Sequence, residues 1–229
     1  MPTEDPSAPR GPGDGRVVVP DAPPTVAGGA WWLAGGVLLP LAVFALLAAS
    51  VGAGPLAFDL PLLGIAQGSG GGRLDAAWAL VSRLGYEWGV VPFDLALVAA
   101  LLLLRRWRAA LFAAIALGGS GLLNVGAKLA FGRVRPELWE SIAPEQNFSF
   151  PSGHAMGSMT LACVLALLLW RTRWRRPAIV GLGLFVAAVG WSRIHLGVHY
   201  PSDILAGWAL GLAWTVAWWI AFSRGARAA

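Results

Sequence analysis

Six stretches of almost uninterrupted apolar sequence leave this chain few ways to fold. They run from about Ala30 to Val51, then Trp88–Leu104, Ala109–Gly126, Ala155–Trp170, Ala178–Trp191 and Ile204–Phe222. A helix needs about 20 apolar residues to cross a bilayer, and only a backbone that satisfies its own hydrogen bonds survives in hydrocarbon. The fourth and fifth runs are short by themselves. They reach the required length if polar residues at one end join the helix, as happens where a helix mouth carries a site. Only 13% of the 229 residues are charged, against roughly 25% in an average soluble domain. The chain therefore reads as an all-α, polytopic membrane protein with six transmembrane helices over residues 30–222, and no room remains for a large soluble domain.

The segments outside these runs divide simply. Residues 1–29 carry seven of the sixteen prolines and read as a disordered N-terminal tail; residues 223–229 read as a short C-terminal tail. The first apolar run exceeds the roughly 7–15 residue core of a cleaved signal peptide, so it is expected to stay as a span. Between the first two spans, a Gly-rich piece (Gly68 to Gly72) leads into an amphipathic stretch, Leu74 to Leu84, expected to lie along the membrane interface. Cys163 is the single cysteine, which excludes a disulfide framework or a CxxC pair.

The arginines give orientation. Arg105, Arg106 and Arg108 follow the second run, Arg171, Arg173, Arg175 and Arg176 the fourth, and Arg224 and Arg227 the sixth. By the positive-inside rule these ends and both tails are cytoplasmic, and tryptophans such as Trp31, Trp88, Trp170 and Trp219 fall near the span ends as interfacial anchors. The formal charge of +5 is thus largely a topology signal and not a nucleic-acid footprint.

Three segments at the opposite span ends carry the chemistry: Lys128 through Arg135-Pro136; Pro151-Ser152-Gly153-His154; and Ser192-Arg193 through His199 to Asp203. Lys128, Arg135 and Arg193 place three cations on the side where basic residues are normally sparse, so an anion is expected to compensate them. Ser152 and Gly153 precede a helix, whose N-terminal N–H groups and dipole favour an oxyanion. Arg adds two-pronged recognition of phosphate oxygens and Lys a point charge. Asp203 lies four residues after His199, with Pro201 suited to the first helical turn. The carboxylate can hold one imidazole nitrogen and leave the other as a nucleophile, while His154, from another helix mouth, can protonate a leaving oxygen. Without a carboxylate cluster or zinc-type spacing, phosphoryl transfer would rest on protein cations, with no metal and no cofactor.

The pattern Lys-x6-Arg-Pro, Pro-Ser-Gly-His, Ser-Arg-x5-His-x3-Asp resembles the type 2 phosphatidic acid phosphatase (PAP2) family, whose phosphate site is shared with vanadium haloperoxidases and bacterial acid phosphatases. The likeness spans about residues 88–222. It implies a six-helix bundle of that type, with His199 forming a phosphohistidine, Asp203 orienting it, His154 as general acid, and Lys128, Arg135, Ser152, Gly153 and Arg193 binding the phosphoryl group. A site at outward helix mouths can receive a headgroup while the chain stays in the bilayer, so a lipid phosphate or diphosphate hydrolysed at the extracytoplasmic face is expected, and the Ala/Gly/Arg-rich usage with a single lysine points to a bacterial plasma membrane. Undecaprenyl or another polyprenyl diphosphate is the first expectation, and phosphatidic acid or phosphatidylglycerophosphate the next. A vanadate-dependent oxidase would not explain six spans. A transporter for an anionic substrate would place its site near mid-bilayer and would not need the His199/Asp203 pair.

Other polar residues take plainer expectations. Arg73, Arg83 and Arg133 read as interfacial anchors, and His195, which has no slot in the pattern, as structural or at the site's rim. Asp94 and Asn124 face the bundle, and Gly118–Gly121 and Gly181–Gly183 are expected to permit close helix contact.

Overall fold

The computed structural model describes residues 29–225 apart from positions 70, 140 and 142, with the side chains of 224 and 225 excluded. The expected tails, 1–29 and 223–229, lie outside the described residues except for Gly29 and 223–225. Among the described residues there are eight helices and no strand: α1 (Gly29–Ala53), α2 (Asp59–Gly68), α3 (Gly72–Leu84), α4 (Val90–Leu103), α5 (Trp107–Phe131), α6 (Gly153–Leu168), α7 (Arg175–His195) and α8 (Pro201–Gly225).

Four of these, α1, α5, α7 and α8, are long and apolar enough to cross a membrane. The polar Ser192–His195 segment does join α7, which brings it to 21 residues. In contrast, α4 has 14 residues and α6 has 16, so these two expected spans fall short of the usual length. The outward faces of α4 and α5 are nonetheless those of a lipid-solvated bundle, with Leu95 70% exposed, Leu103 85% and Leu122 78%, whereas α6 is packed inside it with no exposed residue. Apolar exposure on this scale would be costly in water. The amphipathic stretch is realised as α3, which packs against α7.

The basic span ends gather at one end of the bundle. Trp32, at the start of α1, meets the rings of Trp170 and Trp219 edge-on at 5.5 and 5.0 Å, and Arg108 at the start of α5 reaches the carbonyl of Phe222 near the end of α8 (3.5 Å). Arg175 lies over the Trp170 ring at 4.7 Å. The three motif segments lie at the other end, because α5 and α7 finish there and α6 and α8 begin there. Gly132 ends α5 in the left-handed region (φ 57°), its N–H donating to Lys128 O at 3.0 Å. Pro201 opens α8 with a preset φ.

The closest helix contact, α6 on α8, is made by missing side chains. A Cβ on Gly207 would stand 2.7 Å from Ser152 O and 3.1 Å from the Ala155 Cβ; on Gly211 it would stand 2.8 Å from Met156 O and 3.0 Å from Thr160 Oγ1. Two glycines four residues apart let the backbones touch. The Trp214 indole similarly covers Gly119 and donates to Ala116 O (3.0 Å). The expectation fails at Gly118, Gly121, Gly181 and Gly183, where nothing lies within 4 Å of a Cβ. Close packing runs through α8 because α8 carries one half of the site and must meet the mouth of α6.

Gly207→Val should therefore lower thermal stability in detergent by about 1–3 kcal/mol through overpacking, whereas Gly181→Val should stay within about 0.5 kcal/mol. Equal losses from the two substitutions would show that the α6–α8 contact is not special.

Candidate active site

Asp203 sits in the first turn of α8 with its side chain wholly buried, and every nearby donor turns toward it. Its Oδ1 accepts from Arg133 Nη1 (2.6 Å). Its Oδ2 accepts from Ser149 Oγ (2.5 Å) and from the Tyr200 N–H (2.9 Å), with His199 Nδ1 at 3.4 Å. His199 Nδ1 also lies 3.3 Å from Ser149 Oγ. On its other side, His199 Nε2 is 3.1 Å from Arg135 Nη1. A guanidinium only donates, so Nε2 is the acceptor and the ring proton belongs on Nδ1, facing Ser149 and Asp203. Burial, and then the positive charge of Arg135, Arg193 and Lys128, holds the His199 imidazole well below its ordinary pKa, so the ring is neutral with a lone pair on Nε2.

The three expected cations do converge. Lys128, buried in the last turn of α5, donates to Asn147 Oδ1 (3.0 Å) and to Phe148 O. Arg135 donates to Asn147 O (2.7 Å), Asn147 Oδ1 (2.5 Å), Val198 O (2.5 Å) and Glu145 Oε2 (2.5 Å). Arg193, 2% exposed at the end of α7, donates to Ser82 Oγ of α3 and to Glu145 Oε1. One short loop, Glu145 to Ser149, thus supplies acceptors to all three.

His154 arrives from the first turn of α6 and lies against the Tyr86 ring at 4.9 Å. Its Nδ1 is 3.9 Å from Glu145 Oε1 and its Nε2 is 3.9 Å from Glu87 Oε2. The Ser152 N–H, expected to face an anion, instead donates to Asp203 O (3.1 Å), which ties the mouth of α6 to α8. Ser152 Oγ and Arg193 Nε are buried without a hydrogen-bond partner in the protein. Leaving such groups unpaired is costly, and both belong to the cluster. Gly153 is required by a near neighbour: a Cβ there would stand 3.1 Å from Asn124 Oδ1, while Asn124 Nδ2 donates to Pro151 O (3.1 Å). Asn124 therefore supports the turn, as its place in an apolar run suggested.

A groove of about 460 Å³ runs between α4, α5 and α6 from this mouth down the bundle. Its walls include Val90, Leu95, Val98, Leu117 and Met156, and it reaches Asn124 and Gly153. The exposure of Leu95 leaves it open sideways.

All eight residues expected from the sequence, Lys128, Arg135, Ser152, Gly153, His154, Arg193, His199 and Asp203, lie at this one mouth. Arg133 does not have its expected role. It is buried, ion-paired to Asp203 at 2.6 Å and to Asp59 at 3.3 Å, donates to Ser202 Oγ (2.8 Å), and lies over the Tyr200 ring at 4.2 Å. Asp59, Ser149 and Glu145 escaped the sequence reading entirely. The available signal was Asp59 itself, an acid in the apolar stretch Phe58–Leu63 that needs a buried cation. His195 keeps its rim role: its Nε2 lies 2.8 Å from Asp75 Oδ1, and that hydrogen bond holds the Asp75 carboxyl below its usual range.

The sequence profile of the PAP2 superfamily matches residues 94–227. A phosphatidylglycerophosphatase B of Bacillus subtilis (strain 168) is 31% identical over 137 residues, which are 58% of this chain and 67% of the relative. An undecaprenyl-diphosphatase of Sulfolobus acidocaldarius is 30% identical over 156 residues, 65% of this chain and 68% of the relative. Among solved structures, the transmembrane PAP2-type phosphatidylglycerolphosphate phosphatase of Bacillus subtilis matches with a TM-score of 0.69 at 26% identity, over 82% of this chain and 96% of that one.

Removing one partner of a buried ion pair typically costs about 3–5 kcal/mol. Arg133→Ala, which strands both Asp59 and Asp203, is expected to lose that much in thermal unfolding, against under about 0.5 kcal/mol for Arg73→Ala. A loss for Arg133→Ala as small as that for Arg73→Ala would return Arg133 to the surface-anchor class.

Proposed function

The chain belongs to the PAP2 superfamily and is a multi-pass membrane phosphatase, and from that premise we propose that it removes the terminal phosphate of a lipid phosphate by a metal-free, histidine-dependent route. The observation that carries this reading is the juxtaposition of an apolar, side-open groove with three cations and a neutral imidazole. A lipid can keep its chain in the groove while its headgroup meets Lys128, Arg135, Arg193, Ser152 and the N–H of Gly153.

In the first step the Nε2 lone pair of His199 attacks phosphorus, the P–O bond to the lipid breaks, and the leaving oxygen takes a proton from the His154 imidazolium, the form that the bound phosphate dianion stabilises. In the second, His154 accepts a proton from water as the water oxygen attacks the phosphohistidine. The P–N bond breaks, its electron pair returns to Nε2, and inorganic phosphate leaves. Asp203 and Ser149 hold the Nδ1–H throughout and stabilise the charge that develops on the ring. The cations stand where Mg²⁺ stands in many phosphoryl transfers.

Within the lipid class, a polyprenyl diphosphate such as undecaprenyl diphosphate is the first reading. Phosphatidylglycerophosphate is the second, favoured by the Bacillus subtilis relative, with phosphatidic acid beside it. A panel of these substrates in mixed micelles separates them by kcat/KM. We place the protein in a bacterial plasma membrane with α4 and α6 also spanning, the basic end cytoplasmic and the site extracytoplasmic; the separation of basic clusters from motif cations supports that orientation.

Phosphate release from the preferred lipid should persist in EDTA and fall by at least about a thousandfold in His199→Ala. Robust turnover by that variant would remove the phosphohistidine, and a strict Mg²⁺ requirement would remove the metal-free route. In the same assay the pH profile follows from His199. Its pKa is lowered, so Nε2 stays unprotonated, and kcat/KM should stay high, as pH drops past the ordinary histidine value of about 6.5. Activity is lost only where the ring finally takes a proton, so an acid limb at or above pH ~6.5 would contradict the geometry.

Orientation is tested separately. A Leu138→Cys variant, made with Cys163→Ala, should react with a membrane-impermeant maleimide in intact cells. Reaction only after permeabilisation would reverse the topology.

A further inference from the structure

The phosphoryl-transfer scheme uses His154 but not the turn that lies against it, which joins α3 to α4. That turn is closed on itself: the N–H groups of Gly85 and Trp88 donate to Val81 O (2.8 Å) and Arg83 O (2.9 Å), and the Val91 N–H donates to Tyr86 O (2.9 Å). A Cβ on Gly89 would stand 2.1 Å from Leu84 O, and one on Gly85 would stand 2.7 Å from Val189 Cγ1 of α7. Two glycines thus let the turn form and rest on the bundle. It delivers two neighbouring side chains to His154. The Tyr86 ring lies against the imidazole, and Glu87 brings Oε2 to 3.9 Å from Nε2. The other ring nitrogen, Nδ1, faces Glu145 Oε1, the oxygen that Arg193 holds, and so points into the cation cluster.

Among the described residues, the charged and titratable groups around His154 are Tyr86 and Glu87 from this turn, Glu145 from the loop before α6, Lys128 and Arg135 at and beyond the end of α5, and Arg193 and His199 at and beyond the end of α7. Of the two carboxylates, Glu145 stands where the phosphoryl group is proposed to bind, and Glu87 does not. We propose that Glu87 is the positioning residue of the general acid, favouring the protonated His154 ring from the edge turned away from the phosphoryl group. This inference rests on the reading that His154 protonates the leaving oxygen. In that step the Nδ1–H bond breaks as the lipid O–H bond forms, the electron pair stays on Nδ1, and Nε2 keeps its proton facing Glu87. Nδ1 is then free to take a proton from water in the second step. The arrangement repeats, with the two nitrogens exchanged, what is proposed for Asp203 and His199. The cations of the cluster oppose a further positive charge on the ring, and Glu87 offsets them without entering the site. At 3.9 Å the contact acts through charge and not through a hydrogen bond. A unit charge about 4 Å away moves a pKa by about 0.8 unit in surroundings like water, and by more where solvent is excluded.

The test reads the pH profile of the chemical step, in full-length protein in detergent, with two substrates that differ in their leaving group. Dihexanoyl phosphatidic acid expels a basic alkoxide that needs a proton, whereas 4-nitrophenyl phosphate expels a weakly basic phenolate that does not. Glu87→Gln should move the basic limb of the single-turnover rate on the lipid down by about 0.5–1 pH unit, so that the rate on that limb falls about three- to tenfold. The half-saturating lipid concentration and the first-turnover release of 4-nitrophenolate should each change by less than about twofold. Glu87→Asp, which keeps the charge, should hold the limb near its original place. Because the Glu87 side chain is 57% exposed, about 1 M NaCl should draw the limb of the unaltered protein toward that of Glu87→Gln. A basic limb that stays in place in Glu87→Gln, or equal losses on the two substrates, overturns the proposal. His154→Ala separates it from the catalytic reading, since that variant should lose far more on the lipid than on the aryl phosphate. If it does not, the general-acid assignment falls and takes the role of Glu87 with it; if it does while Glu87→Gln leaves the limb unmoved, Glu87 alone fails.

Discussion

Mutual repulsion among Lys128, Arg135 and Arg193 is the constraint around which this end of the molecule is arranged. Two unit charges about 4 Å apart at an effective dielectric of about 20 interact by roughly 4 kcal/mol, and these cations are gathered at the end of the bundle opposite the basic arginine clusters. Such a cluster persists only with its donors satisfied and its charge offset. The loop before the Pro-Ser-Gly-His segment does both: Glu145 supplies a negative charge, and Asn147 and Phe148 supply neutral acceptors. The site proposed to receive a phosphate is therefore built already holding an anion.

Arg133 solves a related problem beneath the site. Asp203 must be available to His199 yet lies fully buried, and a buried carboxylate without a partner is very costly. Arg133 offers one nitrogen to Asp203 and another to Asp59, while Asp59 also accepts from the Ser202 N–H (2.8 Å) and hydroxyl (2.7 Å). Two acids, one guanidinium and a serine make a closed polar unit inside an apolar bundle. Because Asp59 opens α2, this unit fixes the connection between α1 and α4 to the base of the catalytic helix. Arg193 performs the same service for α3 through Ser82. The stretch 52–87, whose role could not be read from its composition, is thereby a support for the site.

What the sequence made legible and what it concealed follow one physical divide. Span-forming runs are local signals, and so are motif residues at fixed offsets such as His199 and Asp203; both could be read directly, and all eight site residues do meet. Arg133 could not, because an arginine at a span end has the same local appearance whether it snorkels to the interface or pairs with an acid 70 residues later. Glu145 was hidden for the opposite reason: a polar loop has no periodicity, and its acceptors acquire meaning only from cations on α5 and α7 that the fold brings there. The glycines show the same limit, since Gly207 and Gly181 differ only in what approaches them. In α6 the polar Gly153 and His154 do join the helix at the site, as expected, but the helix ends at Leu168, so it keeps 16 residues.

The division between fixed and exchangeable contacts decides how such a site can admit a substrate. The groups to which catalysis is assigned in the proposed reaction are bound into one unit: the Ser152 N–H donates to Asp203 O, Gly207 lets α8 rest on the Ser152 carbonyl, and Ser149 is held at both ends, by its N–H to Arg133 O (2.8 Å) and its hydroxyl to Asp203. From Glu145 to Phe148, by contrast, the side-chain hydrogen bonds to the bundle run through Lys128, Arg135 and Arg193. In the proposed reaction, a phosphoryl group that takes over those three cations releases this segment and leaves Ser149 onward in place. Exchange at the site therefore displaces the counter-ion loop while the nucleophile, its carboxylate and the mouth of α6 keep their geometry, which is the preorganisation that phosphoryl transfer requires.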